Sequence, residues 1–119
     1  MPSLDMDGPY FLSEETIDEV VTLTSPGNYA LGDEGKERAF RVSYIGRSDT
    51  DVNDRLKEWV SNTNSPLFKF SYATSPKAAF EKECLNYHEF GESEALDNEI
   101  HPRRPDGQNW ICPLCDVFD

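Results

Sequence analysis

Hydrophobic side chains recur at helical spacing in several stretches of the chain, and residues suited to cap a helix precede these stretches. Ser13 precedes the first stretch, and Ser75, followed by a proline, opens the last. The middle stretch starts among the acidic residues 49–51 and keeps its apolar side chains on one face. The predicted helices cover about residues 14–23, 49–61 and 76–90.

Shorter runs of β-prone residues lie between the helices. Residues 28–31 and 40–45 are separated by a polar stretch bounded by glycines, which is typical of a hairpin. In residues 67–73 aromatic side chains occupy every second position, a period that predicts a third strand. The order of elements after the N-terminal helix is therefore ββαβα. We predict an α+β fold with a small three-stranded antiparallel sheet flanked by helices.

The two ends of the chain show no regular pattern. Residues 1–12 carry proline, glycine and aspartate without periodicity and are expected to form an irregular lead-in. The chain is also irregular from residue 92 onward, and a tail of that length usually needs a tether. A chain of 119 residues suffices for one hydrophobic core. We therefore predict a single domain over residues 1–119, with a core at 26–100 and a tail at 101–119.

The chain is strongly acidic, with 23 Asp and Glu residues against 11 Lys and Arg residues and a net charge of −12. Proteins that bind nucleic acid are usually basic, because they neutralise phosphates. The excess of carboxylates favours either an acidic surface suited to a high-salt cytoplasm or a partner other than naked nucleic acid. The candidates for a local basic strip are Arg41, Arg47, Arg55, Lys57, Lys69, Arg103 and Arg104.

No run of apolar residues approaches the roughly twenty that are needed to cross a bilayer. The acidic start of the chain, from Met1 to Asp5, is also unlike a secretory signal. We therefore expect a cytoplasmic protein without a membrane partner. Its three cysteines cannot all pair with one another, so in a reducing compartment they are expected to be metal ligands or free thiols.

Two short motifs lie on the strands of the predicted hairpin. Gly27-Asn28-Tyr29 lies on the first strand and Tyr44-Ile45-Gly46 on the second, while Arg55 and Glu81 follow on the next two helices. This ordered set resembles the GIY-YIG nuclease superfamily, whose core has the same ββαβα order. Each motif alone is common by chance, whereas the ordered set on matching elements is more specific. The resemblance covers roughly residues 26–100.

The resemblance implies an endonuclease that hydrolyses phosphodiester bonds in DNA with one divalent cation. Glu81 would hold a single Mg²⁺ or Mn²⁺ ion, and Arg55 would stabilise the phosphate. Tyr29 or Tyr44 would position or deprotonate the attacking water. A phenol with an ordinary pKa of about 10 is a poor base at neutral pH unless its neighbours lower that value.

Two further assignments from the resemblance have rivals in the sequence. Glu83 lies two positions beyond Glu81, and Glu81 is preferred because Cys84 and the leucine after it match apolar positions that follow the glutamate of the family. The asparagine of the family falls on Asn98, with Asn109 as the alternative.

The chain departs from the family pattern at two positions, and the first of these, together with the net charge of −12, favours a second hypothesis. Trp59 stands one turn after Arg55, where the family often has a histidine or tyrosine, and an indole cannot shuttle a proton. Asn28 replaces the usual apolar residue in the middle of the first motif. The alternative function is therefore a catalytically weak or inactive, zinc-stabilised module on the same fold that binds a protein or nucleic-acid partner. Free-standing members of the family commonly take their DNA specificity from fused domains or partners, so a protein partner is also expected.

The cysteines suggest a second site, which would hold zinc. Cys84 and His88 have the i, i+4 spacing that places them on one face of the last helix. Cys112-x-x-Cys115 has the spacing of a two-ligand zinc knuckle, and His101 is the alternative fourth ligand. A structural zinc ion at these residues would tether the tail to the helix. Alternatively, the tail cysteines are free thiols in a loop and Cys84 is a small buried residue.

Overall fold

The computed structural model describes residues 4–35, 39–92, 96–98, 102 and 108–114. The α+β fold is confirmed, and the helices occur near the predicted positions. In chain order the elements are β1 (Asp7–Phe11), α1 (Glu14–Val20), β2 (Gly27–Glu34), β3 (Phe40–Ser48), α2 (Val52–Trp59), β4 (Leu67–Tyr72) and α3 (Pro76–Glu89).

The sheet has four antiparallel strands in the order β1-β4-β2-β3, so the prediction of three strands is wrong. The additional strand is β1, which lies in the segment predicted to be an irregular lead-in. It pairs with β4 through Tyr10 opposite Phe68 and Phe11 opposite Leu67. Most of β1 is exposed and only Tyr10 is partly buried, so its residues show no alternation of polar and apolar positions.

Helices pack on both faces of the sheet. Successive residues of β2 point to opposite faces, and all but the last two are buried. Tyr29 and Leu31 join the hydrophobic cluster that contains residues of α1 and α2. Ala30 joins a second cluster, which contains Tyr87 of α3 and Ile45 of β3. The central strand β2 is therefore buried on both faces, while β1 and β3 form the edges.

The predicted helix caps are confirmed. The Ser13 and Ser75 hydroxyls accept hydrogen bonds from backbone amides three residues later, at the starts of α1 and α3. Helix α1 ends at Val20, earlier than the predicted residue 23. The backbone amides of residues 22 and 23 donate instead to the hydroxyl of Tyr72 on β4, at 2.9 and 3.2 Å.

The described part of the tail packs against α3. The ring centroids of Trp110 and Phe80 are 5.7 Å apart, and Cys112 is buried in the same cluster, which also contains Cys84. Between α3 and this segment, the backbone amide of Asp97 donates to the carbonyl oxygen of Ser43 on β3. Within the described residues, the structure contains no helix that is long and apolar enough to span a membrane.

Candidate active site

A polar cavity of about 600 Å³ lies at the outer edge of the sheet, along strand β3. It is referred to below as the edge cavity, and the residues that line it include Tyr29, Tyr44, Gly46, Arg47, Asp49, Arg55, Glu83 and Asn98. Four of the site residues predicted from the sequence therefore meet in one place. Glu81 is not among the lining residues, whereas its rival Glu83 is.

A glycine allows Tyr29 to reach the edge cavity from the central strand. Tyr29 on β2 lies directly opposite Gly46 on β3, and a Cβ atom at Gly46 would overlap the tyrosine ring at its hydroxyl end. The ring therefore crosses β3 at the one position without a side chain. This contact gives a physical reason for the combination of a tyrosine on one strand and a glycine on the next.

The aromatic half of the cavity consists of Tyr29, Tyr44 and Trp59. The indole Nε1 of Trp59 donates a hydrogen bond of 2.7 Å to the Tyr29 hydroxyl, and its ring lies 4.8 Å from that of Tyr44. The tyrosine rings stack with centroids 6.4 Å apart. Burial raises the pKa of Tyr29 well above its usual range, although Trp59 acts in the opposite direction, and burial also raises the pKa of Tyr44.

These raised pKa values bear on the predicted chemistry of the tyrosines. A phenol acts as a general base only after it has lost its proton, and burial makes that loss more difficult for both side chains. The structure thus places the tyrosines where the sequence predicts, in an environment that disfavours deprotonation of water by either of them.

The charged half of the cavity is centred on Arg47. Its Nε donates to Asp49 at 2.9 Å, and another guanidinium nitrogen forms an ion pair with Glu83. The guanidinium also lies 5.1 Å from the centre of the Phe80 ring. Glu83 is only 8% exposed, and this burial raises its pKa to about 6, although Arg47 acts to lower it.

The sequence suggested Arg47 only as part of a basic strip and Glu83 only as the rival of Glu81, although the buried positions of both follow from its patterns. Phe80, Glu83 and Tyr87 are spaced by three and four residues, so Glu83 belongs to the buried face of α3. Glu81 lies off that face and is only partly buried. Arg47 lies two residues after Ile45, and therefore points to the same face of β3, toward α3.

Asn98 lies at the edge cavity in a position that is mainly structural. Its amide oxygen accepts from the backbone nitrogen of Ile45 at 2.9 Å, and its amide nitrogen donates to the carbonyl oxygen of the same residue at 2.7 Å. This pair of bonds satisfies the free edge of β3 beside the cavity. The alternative, Asn109, is exposed and is not among the residues that line the cavity.

The cysteines meet in part. Cys84 and Cys112 are buried side by side. The pKa of Cys84 is raised mainly by its burial and further by the neighbouring thiol. His88 interacts through its Nδ1 with the carboxylate of Glu92. Within the described ranges, no three His, Cys, Asp or Glu residues are arranged to hold a metal ion. Two predicted ligands, Cys115 and His101, lie outside those ranges, so the four-ligand zinc site stays a prediction.

Carboxylates accompany most of the residues predicted to form a basic strip. Salt bridges join Arg41 to Asp33, Lys57 to Asp18, and Arg55 to Glu58. The edge cavity itself has two arginines, with five carboxylates from Asp49, Asp51, Asp54, Glu58 and Glu83. The predicted Arg103 and Arg104 lie outside the described residues. The part of the chain that the structure describes therefore gives no support to an extended basic surface.

In comparisons with known proteins, no family model, no curated protein and no solved structure matches this chain. The family suggested by the sequence motifs therefore stays a prediction. The edge cavity itself brings hydroxyls, two guanidiniums and a buried carboxylate from separate elements to one polar space.

Proposed function

We propose that this chain hydrolyses phosphodiester bonds in DNA at the edge cavity, with the help of a divalent cation. One observation carries the proposal: Tyr29, Tyr44, Arg55 and Glu83, from β2, β3, α2 and α3, line the same cavity. Hydrolysis of a phosphodiester requires positive charge at the phosphate oxygens, groups that orient water and oxygen ligands for a metal ion. The lining residues include the side-chain types that these tasks require.

Glu83 replaces Glu81 as the proposed ligand of Mg²⁺ or Mn²⁺. Magnesium in phosphate-processing enzymes is usually held by one or two carboxylates, with waters and substrate phosphate completing its coordination. Glu83 and Asp49 offer oxygen donors of this type at the cavity, so the donor chemistry fits such an ion. A bound divalent ion would stabilise the charge on the phosphate and lower the pKa of a coordinated water.

Arg55 is the residue best placed to bind the phosphate. Its side chain is 48% exposed, and its ion pair with Glu58 is long, at 3.6 Å. A pair of this kind contributes little to stability, so a phosphate oxygen can replace the carboxylate at small cost. Arg47 is in the opposite situation, because its side chain is only 11% exposed and Asp49 and Glu83 hold its guanidinium from two sides.

The acidic surface limits how this chain can meet DNA. With a net charge of −12, the chain gains little from the release of counterions that drives most binding of proteins to DNA. We infer that its affinity depends on the divalent cation and on a protein partner that supplies basic surface and specificity. Binding that weakens only slightly as salt is raised would agree with this view.

Nicking of a supercoiled plasmid in the presence of Mn²⁺ tests the proposal. The wild-type chain should nick the plasmid and lose this activity in EDTA, and Arg55→Ala should reduce the rate by about 100-fold or more. Arg41→Ala is the matched control, because Arg41 is an exposed arginine with a carboxylate partner and lies outside the cavity. Wild-type nicking by the Arg55→Ala variant would contradict the assignment.

The second candidate is a zinc-stabilised binding module without catalysis. It is favoured by the ion pair that occupies Glu83, and by the indole of Trp59 where a proton shuttle would be expected. Contact between Cys84 and Cys112 supports the zinc. Elemental analysis of protein purified without added metal tests this ion. About one equivalent is expected, and a content far below one would remove the zinc hypothesis.

A further inference from the structure

The hydroxyl of Tyr29 has an unusual set of neighbours at the edge cavity. Trp59 donates to it from Nε1 at 2.7 Å, and an indole N–H can only donate. The positive charge of Arg55 also acts on this hydroxyl, in the direction that lowers its pKa, and a guanidinium likewise carries only donors. The indole therefore uses a lone pair of the tyrosine oxygen, and neither neighbour can accept the hydroxyl hydrogen.

A phenol oxygen has two lone pairs and one hydrogen atom. With one lone pair directed at Trp59, the hydrogen of Tyr29 must point away from the indole, and Arg55 offers it no acceptor. No hydrogen bond donated by this hydroxyl occurs in the part of the chain that the structure describes, and the residue lines the edge cavity. The hydrogen is thus left to an acceptor that enters the cavity.

We propose that the Tyr29 hydroxyl is a fixed hydrogen-bond donor to a phosphate oxygen in the edge cavity, and that Trp59 is the positioning residue that sets this polarity. The ligand class rests on the proposed function, since a phosphodiester supplies the acceptor oxygen. The role differs from the one implied by the sequence resemblance, in which the tyrosine positions or deprotonates water.

The surroundings of the hydroxyl agree with a donor role. Arg55 from α2 faces it with a positive charge, and Tyr44 from β3 faces it with a second hydroxyl-bearing ring. Tyr29 is 1% exposed, and its burial disfavours the phenolate. A rigid donor beside a cation is the arrangement that stabilises an oxyanion without reorganisation.

Binding of inorganic phosphate, measured by calorimetry in the presence of Mg²⁺, tests the donor directly and needs no turnover. Tyr29→Phe keeps the ring and removes the donor, so it should weaken phosphate binding about tenfold. Trp59→Phe keeps an aromatic ring and frees the hydroxyl to turn, so a loss of about threefold is expected. Tyr72→Phe is the matched control, because that hydroxyl accepts from backbone amides outside the cavity and its loss should leave phosphate binding unchanged.

The pH dependence separates a donor from a base. A donor predicts a rate of plasmid nicking that does not rise between pH 7 and pH 9, whereas a general base predicts a rise of about tenfold per pH unit that Tyr29→Phe abolishes. An ultraviolet titration, wild type minus Tyr29→Phe, should show that Tyr29 ionises at higher pH than an exposed tyrosine. Ionisation at or below the ordinary value would overturn the inference.

The outcomes distinguish this inference from the proposed function. If the plasmid is not nicked but phosphate binding depends on Tyr29 and Trp59, the donor role stands and the nuclease proposal fails. If nicking occurs and rises with pH in a way that requires Tyr29, the nuclease proposal stands and the donor role fails. Phosphate binding that is absent in the wild type, or unchanged in Tyr29→Phe, also contradicts the donor role. Should Trp59→Phe fail to fold, Tyr29→Phe and the pH profile decide.

Discussion

The two halves of the edge cavity are held in place by different forces. Ring contacts and a hydrogen bond from Trp59 fix Tyr29 and Tyr44 in the aromatic half. In the charged half, an ion pair with Arg47 fixes Glu83. The two halves therefore differ in how readily each can accept a ligand. A phosphate can use the free donor of Tyr29 directly, whereas a metal ion at Glu83 has to compete with the guanidinium of Arg47.

The largest effect is expected from breaking the charged half with Arg47→Met. The substitution leaves the buried Glu83 carboxylate without its main partner, and at pH 7 the free energy of unfolding should fall by about 3 kcal/mol. Urea denaturation measures this loss. Adding Glu83→Gln removes the unpaired charge and should restore most of the stability. A loss that the double variant does not reduce would mean that Arg47 acts through packing on Phe80 instead.

The aromatic half should respond next, through Gly46→Ala. The new methyl group would overlap the Tyr29 ring, so the free energy of unfolding should fall by about 2 kcal/mol as the ring is displaced. Gly35→Ala is the matched control, because its Cβ would meet only ordinary contacts near Ala39. Equal stability of the two variants in urea would show that the close approach of Tyr29 to Gly46 is wrong.

The free energy of unfolding, measured over a range of pH, tests the charged half further, because Glu83 has a raised pKa of about 6. Between its unfolded value of about 4.3 and pH 6, the folded chain binds more protons at this group than the unfolded chain. The stability that protonated Glu83 contributes is therefore complete at low pH and is lost as the pH rises through about 6. Relative to Glu83→Gln, the metal-free wild type should lose about 2 kcal/mol between pH 4 and pH 7. Parallel stability curves in EDTA would contradict the raised pKa.

Sequence patterns predicted the central part of the fold because its elements have strong periodicity. The alternation of β4 and the apolar face of α2 each mark one buried side, and serine caps mark the starts of α1 and α3. Strand β1 was missed because tertiary pairing with β4 defines it, while its own residues stay mostly exposed. Edge strands of this kind carry little signal in a single sequence.

The sequence predicted the cavity residues that belong to motifs on the strands. It was less informative where the position of a residue depends on which face of a helix is buried. Tyr29 and Tyr44 follow from the paired glycine-tyrosine motifs on adjacent strands. The choice between Glu81 and Glu83 depended on which face of α3 meets the sheet. Because buried glutamates are rare, the apolar neighbours favoured Glu81, whereas the residue that lines the cavity is Glu83. The role of Trp59 could not be read from the sequence, because its partner lies 30 residues earlier.

The two glutamates of α3 provide the most direct test of the account. Glu81→Gln and Glu83→Gln make the same chemical change two residues apart, one outside the edge cavity and one within it. The account predicts that Glu81→Gln nicks supercoiled plasmid in Mn²⁺ at the wild-type rate, while Glu83→Gln is slower by about 100-fold or more. The reverse result, or equal rates in the two variants, would contradict a nuclease site built around Glu83.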